Sequence, residues 1–239
     1  MIYPAIVFIV IVIVMIVLIV FMIPTVENLY RDFNALDKIP GITKFMIDAS
    51  KFFTNPVGMV LLLLIIVTLV ISFRSYNNTE NGKLVIHKLL LKTPVFGNLI
   101  QKMQLAQFGR LMSMLMHSGV SIIDALKIVS NSSTNMVYKK GIYDTIEQVT
   151  KGVPLSVPLA SSGIFPLIYT RMVSTGEQTG NMDKVLGDMG KFYEAEVNEI
   201  TGNLTKLMEP LILLVVGGMV GFIAVAVYLP IYSIGAVIS

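Results

Sequence analysis

Three long apolar runs constrain this chain more than any other feature: Tyr3–Ile23, Val57–Phe73 and Leu211–Leu229. A helix rises about 1.5 Å per residue, so about twenty residues cross a hydrocarbon core about 30 Å thick. The first run is almost wholly Ile, Val, Leu, Phe and Met. Such β-branched richness suits lipid, where a span satisfies its own backbone hydrogen bonds. The run is too long for a cleaved secretory leader, no basic segment precedes it and no A-x-A site follows it. Residues 1–24 therefore read as a first membrane helix, closed by Pro24. Residues 57–74 read as a second, near the short end of the allowed range and ended by Arg74. Residues 208–233 read as a third, entered through Glu209 and Pro210, with Pro230 and Tyr232 near its outer boundary. A chain that is 54% hydrophobic and 14% charged agrees, being too apolar for an ordinary soluble domain.

Charge sets the orientation. In the connector, residues 25–56, Arg31, Lys38, Lys44 and Lys51 balance Glu27, Asp32, Asp37 and Asp48. After the second run, Arg74, Lys83, Lys88 and Lys92 face Glu80 alone. The positive-inside rule places this flank in the cytoplasm and the connector outside. Within the connector, Pro40–Gly41 predicts a break between two short helices. Ile42, Phe45, Met46 and Ala49 would form the apolar face of the second, with Phe52 and Phe53 at the membrane interface. Residues 75–92 read as a linker and juxtamembrane segment, beginning with the polar stretch 75–82.

Residues 93–207 read as an all-α antiparallel bundle of about six helices, because connections this short make neighbouring helices antiparallel. Leu99, Met103, Phe108, Met112 and Leu115 recur at helical spacing up to Gly119, which suits a C′ position. Ser121 and Asp124 resemble a capping box, followed by a helix with Ile122, Leu126 and Val129 on one face. Val137–Lys151 is a third helix stopped by Gly152, and 154–161 a short fourth. Pro166 then opens a helix whose apolar face holds Ile168, Met172 and Val173. Gly176 and Gly180 bracket a polar turn. Asn181 is a candidate N-cap, with Asp183 in the first turn after it. Met182, Val185, Leu186, Met189, Tyr193, Val197, Ile200 and Leu204 keep helical period almost into the third apolar run. The last helix should thus tie the bundle to the membrane through a nearly continuous rod.

Much chemistry is excluded. There is no Cys, and His87 and His117 are too far apart for a helical zinc pair. A net charge of +3 gives no case for nucleic acid. Phosphate-loop, dinucleotide, zinc-protease and nucleophile-elbow motifs are missing, so no catalytic, cofactor or metal residue is assigned and the chain is read as no enzyme. The N-x-[ST] triplets at Asn77, Asn131 and Asn203 fall on the predicted cytoplasmic side and are read as coincidence. His117 is read as a helix C-terminal or solvent-facing residue. Two acids stand out. Glu177, in the predicted turn, either caps the following helix or contacts a partner or cation. Glu209 either reaches the interface or is held within a helix bundle, where a carboxylate is costly, and Pro210 beside it can bend the helix. Gly217 and Gly221, spaced as G-x-x-x-G, either open a face for helix packing in the membrane or are a chance pair in a glycine-containing span.

Several stretches together carry a resemblance: residues 93–126 (TPVFGNLIQKMQLAQFGRLMSMLMHSGVSIIDAL), KGVPLSVPLASSGIFP, MVSTGEQTGNMDKVL and LMEPLILLVVGGMVGFIAVAVYLPIY. The chain resembles the F proteins of type II secretion systems, a family that includes the inner-membrane platform proteins of type IV pili and competence systems. The resemblance covers essentially the whole chain and is weakest in the connector. It implies a non-enzymatic platform in the cytoplasmic membrane, with lipid around its spans. Its implied partners are a hexameric ATPase, pilin or pseudopilin subunits, other inner-membrane assembly proteins and further copies of itself. For such a platform Arg171, Gly176, Glu177, Thr179, Gly180, Asp183, Glu209 and Pro210 are taken as candidate coupling residues, while Gly217 and Gly221 stay candidate packing residues on their spacing. The family usually carries two copies of the helical domain, and only the second is present here. The chain is therefore expected to be a C-terminal portion, a truncated product or a split form. A membrane-anchored helical binding or signalling module is the alternative that the resemblance disfavours.

Overall fold

The computed structural model describes residues 2–32, 39 and 41–238. It is all-α, with no strand among the described residues. The chain divides into two compact units, one from residues 1–72 and 203–239, the other from residues 73–202. Asp37, Lys38 and Pro40 of the predicted connector lie outside the described residues, as do the side chains of Ile42, Phe53 and Pro230.

The first unit begins with α1 (Ile2–Val17), which passes through a π-helical turn, Leu18–Met22, into α2 (Ile23–Asp32). Pro24 thus does not close the helix. Its ring offers no N–H to the carbonyl four residues back, at Val20, and the widened turn lies where that bond is missing. α3 (Gly41–Thr54) packs on α2 through Ile23, Met46 and Ile47. Its buried face is Thr43, Met46, Ile47 and Ser50, so Phe45 points outward instead of inward as its spacing suggested. Lys51 and Arg31 both pair with Glu27, at 2.8 and 3.3 Å, which ties α3 to α2. The Asn55 side chain accepts from Val57 N–H at 3.0 Å and starts α4 (Pro56–Asn78). Among the described residues, three helices are long and apolar enough to cross a membrane: Ile6–Asp32, Pro56–Asn78 and Met182–Val225.

The second unit holds the end of α4, then α5 (Glu80–Lys92), α6 (Phe96–His117), α7 (Ile122–Ser132), α8 (Met136–Thr150), α9 (Ser156–Ser161), α10 (Leu167–Thr179) and the start of α11 (Met182–Ile238). The stretch read as a polar linker, 75–82, is helical except at Thr79. Leu105, Phe108, Leu126, Tyr169 and Leu186 are wholly buried. Phe108 meets Phe165 edge to face at 4.9 Å, and Tyr169 meets Tyr193 at 5.6 Å.

Helix ends follow local chemistry. After α6, Gly119 adopts φ +80°, its N–H bonds Met116 and the Val120 N–H bonds Leu115, a paired C-terminal cap. Gly152 closes α8 the same way. The Ser121 hydroxyl oxygen accepts from Asp124 N–H at 3.2 Å, while the Asp124 carboxylate accepts the Ser121 hydroxyl proton instead of reaching back to the backbone.

Two faces differ from the spacing. On α10 the buried residues are Tyr169, Thr170, Val173 and Gly176, so Ile168 and Met172 stay exposed. On α6, Met103 is exposed while Gln104 is buried, its amide donating to the Thr134 hydroxyl at 2.9 Å. The apolar stripe of α11 does bury Met182, Leu186, Met189 and Tyr193. There α11 crosses α6 with backbones nearly touching. A Cβ at Gly190 would lie 2.8 Å from the Arg110 nitrogen, and one at Gly109 2.6 Å from the Leu186 oxygen.

Candidate functional site

The candidate coupling residues between Arg171 and Asp183 sit on α10, the first turn of α11 and the joint between them. The predicted polar turn is shorter than its glycines suggested. α10 continues through Gly176, Glu177, Gln178 and Thr179, and only Gly180 (φ +69°) and Asn181 lie between helices. Gly176 acts by lacking a side chain, not by breaking the helix. A Cβ there would lie 3.2 Å from both Met182 Cα and Val185 Cβ, so its absence lets α11 fold back closely on α10. The Asn181 amide donates to the Thr179 carbonyl at 3.0 Å.

Glu177 does not cap the helix that follows it. Its carboxylate accepts from Leu155 N–H, from Ser156 N–H at 3.1 Å and from the Ser156 hydroxyl. It therefore supplies the acceptors that the start of α9 lacks, across 21 residues of chain. Both oxygens are engaged within the bundle, and among the described residues no three His, Asp or Glu side chains gather as a cation would require. Ser156 is the partner of Glu177 that sequence reasoning missed. The signal was a helix start after Gly152 and Pro154 with no acidic or amide side chain nearby in sequence.

His117, expected to face solvent or its own helix end, also meets Asp183 at 3.3 Å between Nδ1 and Oδ2. The hydrogen bond from His117, then that of the Lys184 backbone N–H, hold the Asp183 carboxyl below the usual carboxylate range. A carboxylate at a helix start and an imidazole at a helix end each suit the local dipole, so the pair fastens α6 to α11. The Thr179 hydroxyl donates to the Thr175 carbonyl at 2.8 Å, and Arg171 is exposed. The structure thus assembles Gly176, Glu177, Gly180 and Asp183 around one joint, with Arg171 on the outer face of α10.

The remaining candidates lie elsewhere on α11. Glu209 and Pro210 are exposed and α11 runs through both. A Cβ at Gly217 or Gly221 would meet nothing within 4 Å among the described residues.

The joint, the α9 clasp and most of the long last helix fall inside a match to a known family. The sequence profile described as "Type II secretion system (T2SS), protein F" matches residues 108–230. Relatives align over the full chain. They include the type IV pilus assembly protein PilC of Thermus thermophilus, 35% identical, and its Pseudomonas aeruginosa namesake, 30% identical. The type II secretion system protein F of P. aeruginosa is 25% identical over the full chain. The chain spans 58% of the Thermus protein and 63% of the P. aeruginosa PilC. With a profile match over half its length and alignments from end to end, the chain belongs to the type II secretion system protein F family.

Proposed function

We propose that this chain is an inner-membrane platform component of a type IV pilus or type II secretion machine, without catalytic activity of its own. The observation that carries the reading is end-to-end alignment with proteins named for pilus assembly and type II secretion. Three apolar helices of spanning length support the membrane location. In this reading the bundle faces the cytoplasm, following the positive flank after Arg74. It couples a hexameric ATPase to the insertion or removal of pilin or pseudopilin subunits. Arg171, Thr179 and Asp183 offer the coupling surface, Gly176, Glu177 and Gly180 hold that surface in shape, and Glu209 and Pro210 carry the coupling into the last span. Gly217 and Gly221, where an added Cβ meets nothing within 4 Å among the described residues, pack against another copy.

Crosslinking mass spectrometry on native membranes tests this. Crosslinks from the bundle to a hexameric ATPase and from the spans to pilin-like proteins are expected, and the identity of those pilins names the machine. An abundant, folded protein with neither set of crosslinks overturns the reading.

A further inference from the structure

α5 has two occupied sides and one empty one. Leu91 packs against the bundle core, and His87 Nδ1 accepts from Met136 N–H at the start of α8, 2.8 Å away. On the far side Val85 and Leu89 are 56% and 66% exposed. Lys88 and Lys92 flank them at helical spacing and are exposed as well. Over α5 and the first five residues of α8, Lys83, Lys88, Lys92, Lys139 and Lys140 face Glu80 alone.

The turn after α5 adds a second observation. Val95 has φ +66° and ψ −59°, and Phe96 N–H donates to the Pro94 carbonyl at 2.8 Å. This is a γ-turn of the strained hand, here around a β-branched residue. The strained turn leaves Val95 and Phe96 largely exposed, at 51% and 58%. Strain that displays apolar side chains to water gains nothing within the chain and calls for an outside contact.

The corner before α5 says which contact. Only Thr79 separates α4 from α5. Its backbone is extended, and its hydroxyl oxygen accepts from Gly82 N–H at 3.1 Å. A Cβ at Gly82 would lie 2.0 Å from the Tyr76 oxygen, so the corner closes tightly on glycine. A helix that leaves a membrane span through so short a corner starts within a few residues of the headgroups.

We infer that α5 and the Pro94–Phe96 turn rest on the membrane surface, with Val85, Leu89 and Phe96 in the headgroup–acyl boundary and Lys88 and Lys92 on anionic lipid phosphates. The pattern of an apolar strip edged by lysines is what an interfacial helix needs. The inference rests on the reading that α4 spans the bilayer.

The absence of Cys allows a direct test on the full chain in nanodiscs. Single-cysteine variants Val85→Cys, Leu89→Cys, Leu64→Cys and Tyr143→Cys are labelled with an environment-sensitive fluorophore and challenged with nitroxide lipids. Leu64, exposed in the middle of α4, reports the span, and Tyr143, exposed on α8, reports the aqueous bundle surface. Expected is severalfold stronger quenching at 85 and 89 than at 143 by a shallow nitroxide, with 64 quenched by a deep one. Lys88→Gln with Lys92→Gln should lower the signal at 89 in anionic nanodiscs only. If 64 escapes the deep nitroxide, the span reading fails. If 64 is quenched but 85 and 89 match 143, the surface contact is wrong. If 89 is shielded from both lipid nitroxide and aqueous iodide, a second copy or other protein covers the face and the lipid assignment is overturned.

Discussion

The two units use the same apolar residues for opposite purposes. In residues 73–202, Leu105, Leu126 and Leu186 are wholly buried, each on the inward face of a different helix. In the first unit, Leu61, Leu63 and Leu64 follow one another on α4 and are each more than half exposed. α4 is apolar on nearly every side, so it carries no stripe. A periodic leucine is a statement about protein packing, whereas a run of leucines is a statement about solvent. The difference predicts where substitutions should hurt.

The largest contrast is between core and span. Phe108→Ala removes a buried ring from the aromatic cluster and should cost about 3–5 kcal/mol. Leu64→Ala should change the stability of the bundle by less than about 0.5 kcal/mol. Pulse proteolysis of the full chain across a urea series measures both, and equal losses would break the comparison.

Glycine gives the next contrast. Gly190→Val forces methyl groups against the Arg110 backbone and should cost about 1–3 kcal/mol in the same assay. Gly217→Val meets nothing among the described residues and should leave folding unchanged, lowering only copy-to-copy crosslinking in the membrane. Destabilisation by the second variant would mean that its face is already packed within one chain.

Glu177→Ala strands the Leu155 and Ser156 amides. It should cost about 1–2 kcal/mol and speed hydrogen exchange at those two positions. Glu209→Ala, exposed on α11, should do neither. Unchanged exchange at Leu155 and Ser156 would refute the clasp.

Asp183→Asn should have the smallest effect, and its sign depends on pH. The native carboxyl titrates below the ordinary range, so its contribution is full above that range and disappears as pH falls through its own lower value. The Tm values of native protein and variant should therefore converge in acid and separate toward neutral pH. A gap that is independent of pH would assign the loss to packing.

Much of the fold was legible because its signals are local. The apolar runs, the end glycines at 119 and 152, the Ser121 cap and the stripe on α11 each depend on neighbours within a turn or two. The faces of α10 were not, because Tyr169 and Thr170 offer a buried side as readily as Ile168 and Met172 do. Tyr169 reaches the Leu105 carbonyl with its hydroxyl, a partner 64 residues away. The role of Glu177 was hidden for the same reason. Its residue type announced a cap, but the helix start it serves precedes it by more than twenty residues. α5 was read as a linker because its lysines and polar start masked a short helix whose apolar face the bundle only half uses.

The π-helical turn at Leu18–Met22 has a consequence for how such a chain can change over time. It accommodates one residue more than an α-turn, so a single residue can be deleted there with plain α-helix restored and the flanking faces kept, whereas the same deletion in an unbroken α-helix rotates everything before it by about 100°. In the bundle such a slip would turn a core stripe toward water. The segment Ile6–Val17 presents Ile and Val on nearly every side, so no orientation is worse than another. Length variation is therefore tolerable in the first span and lethal around Gly109 and Gly190, and insertions or deletions among related chains should accumulate accordingly.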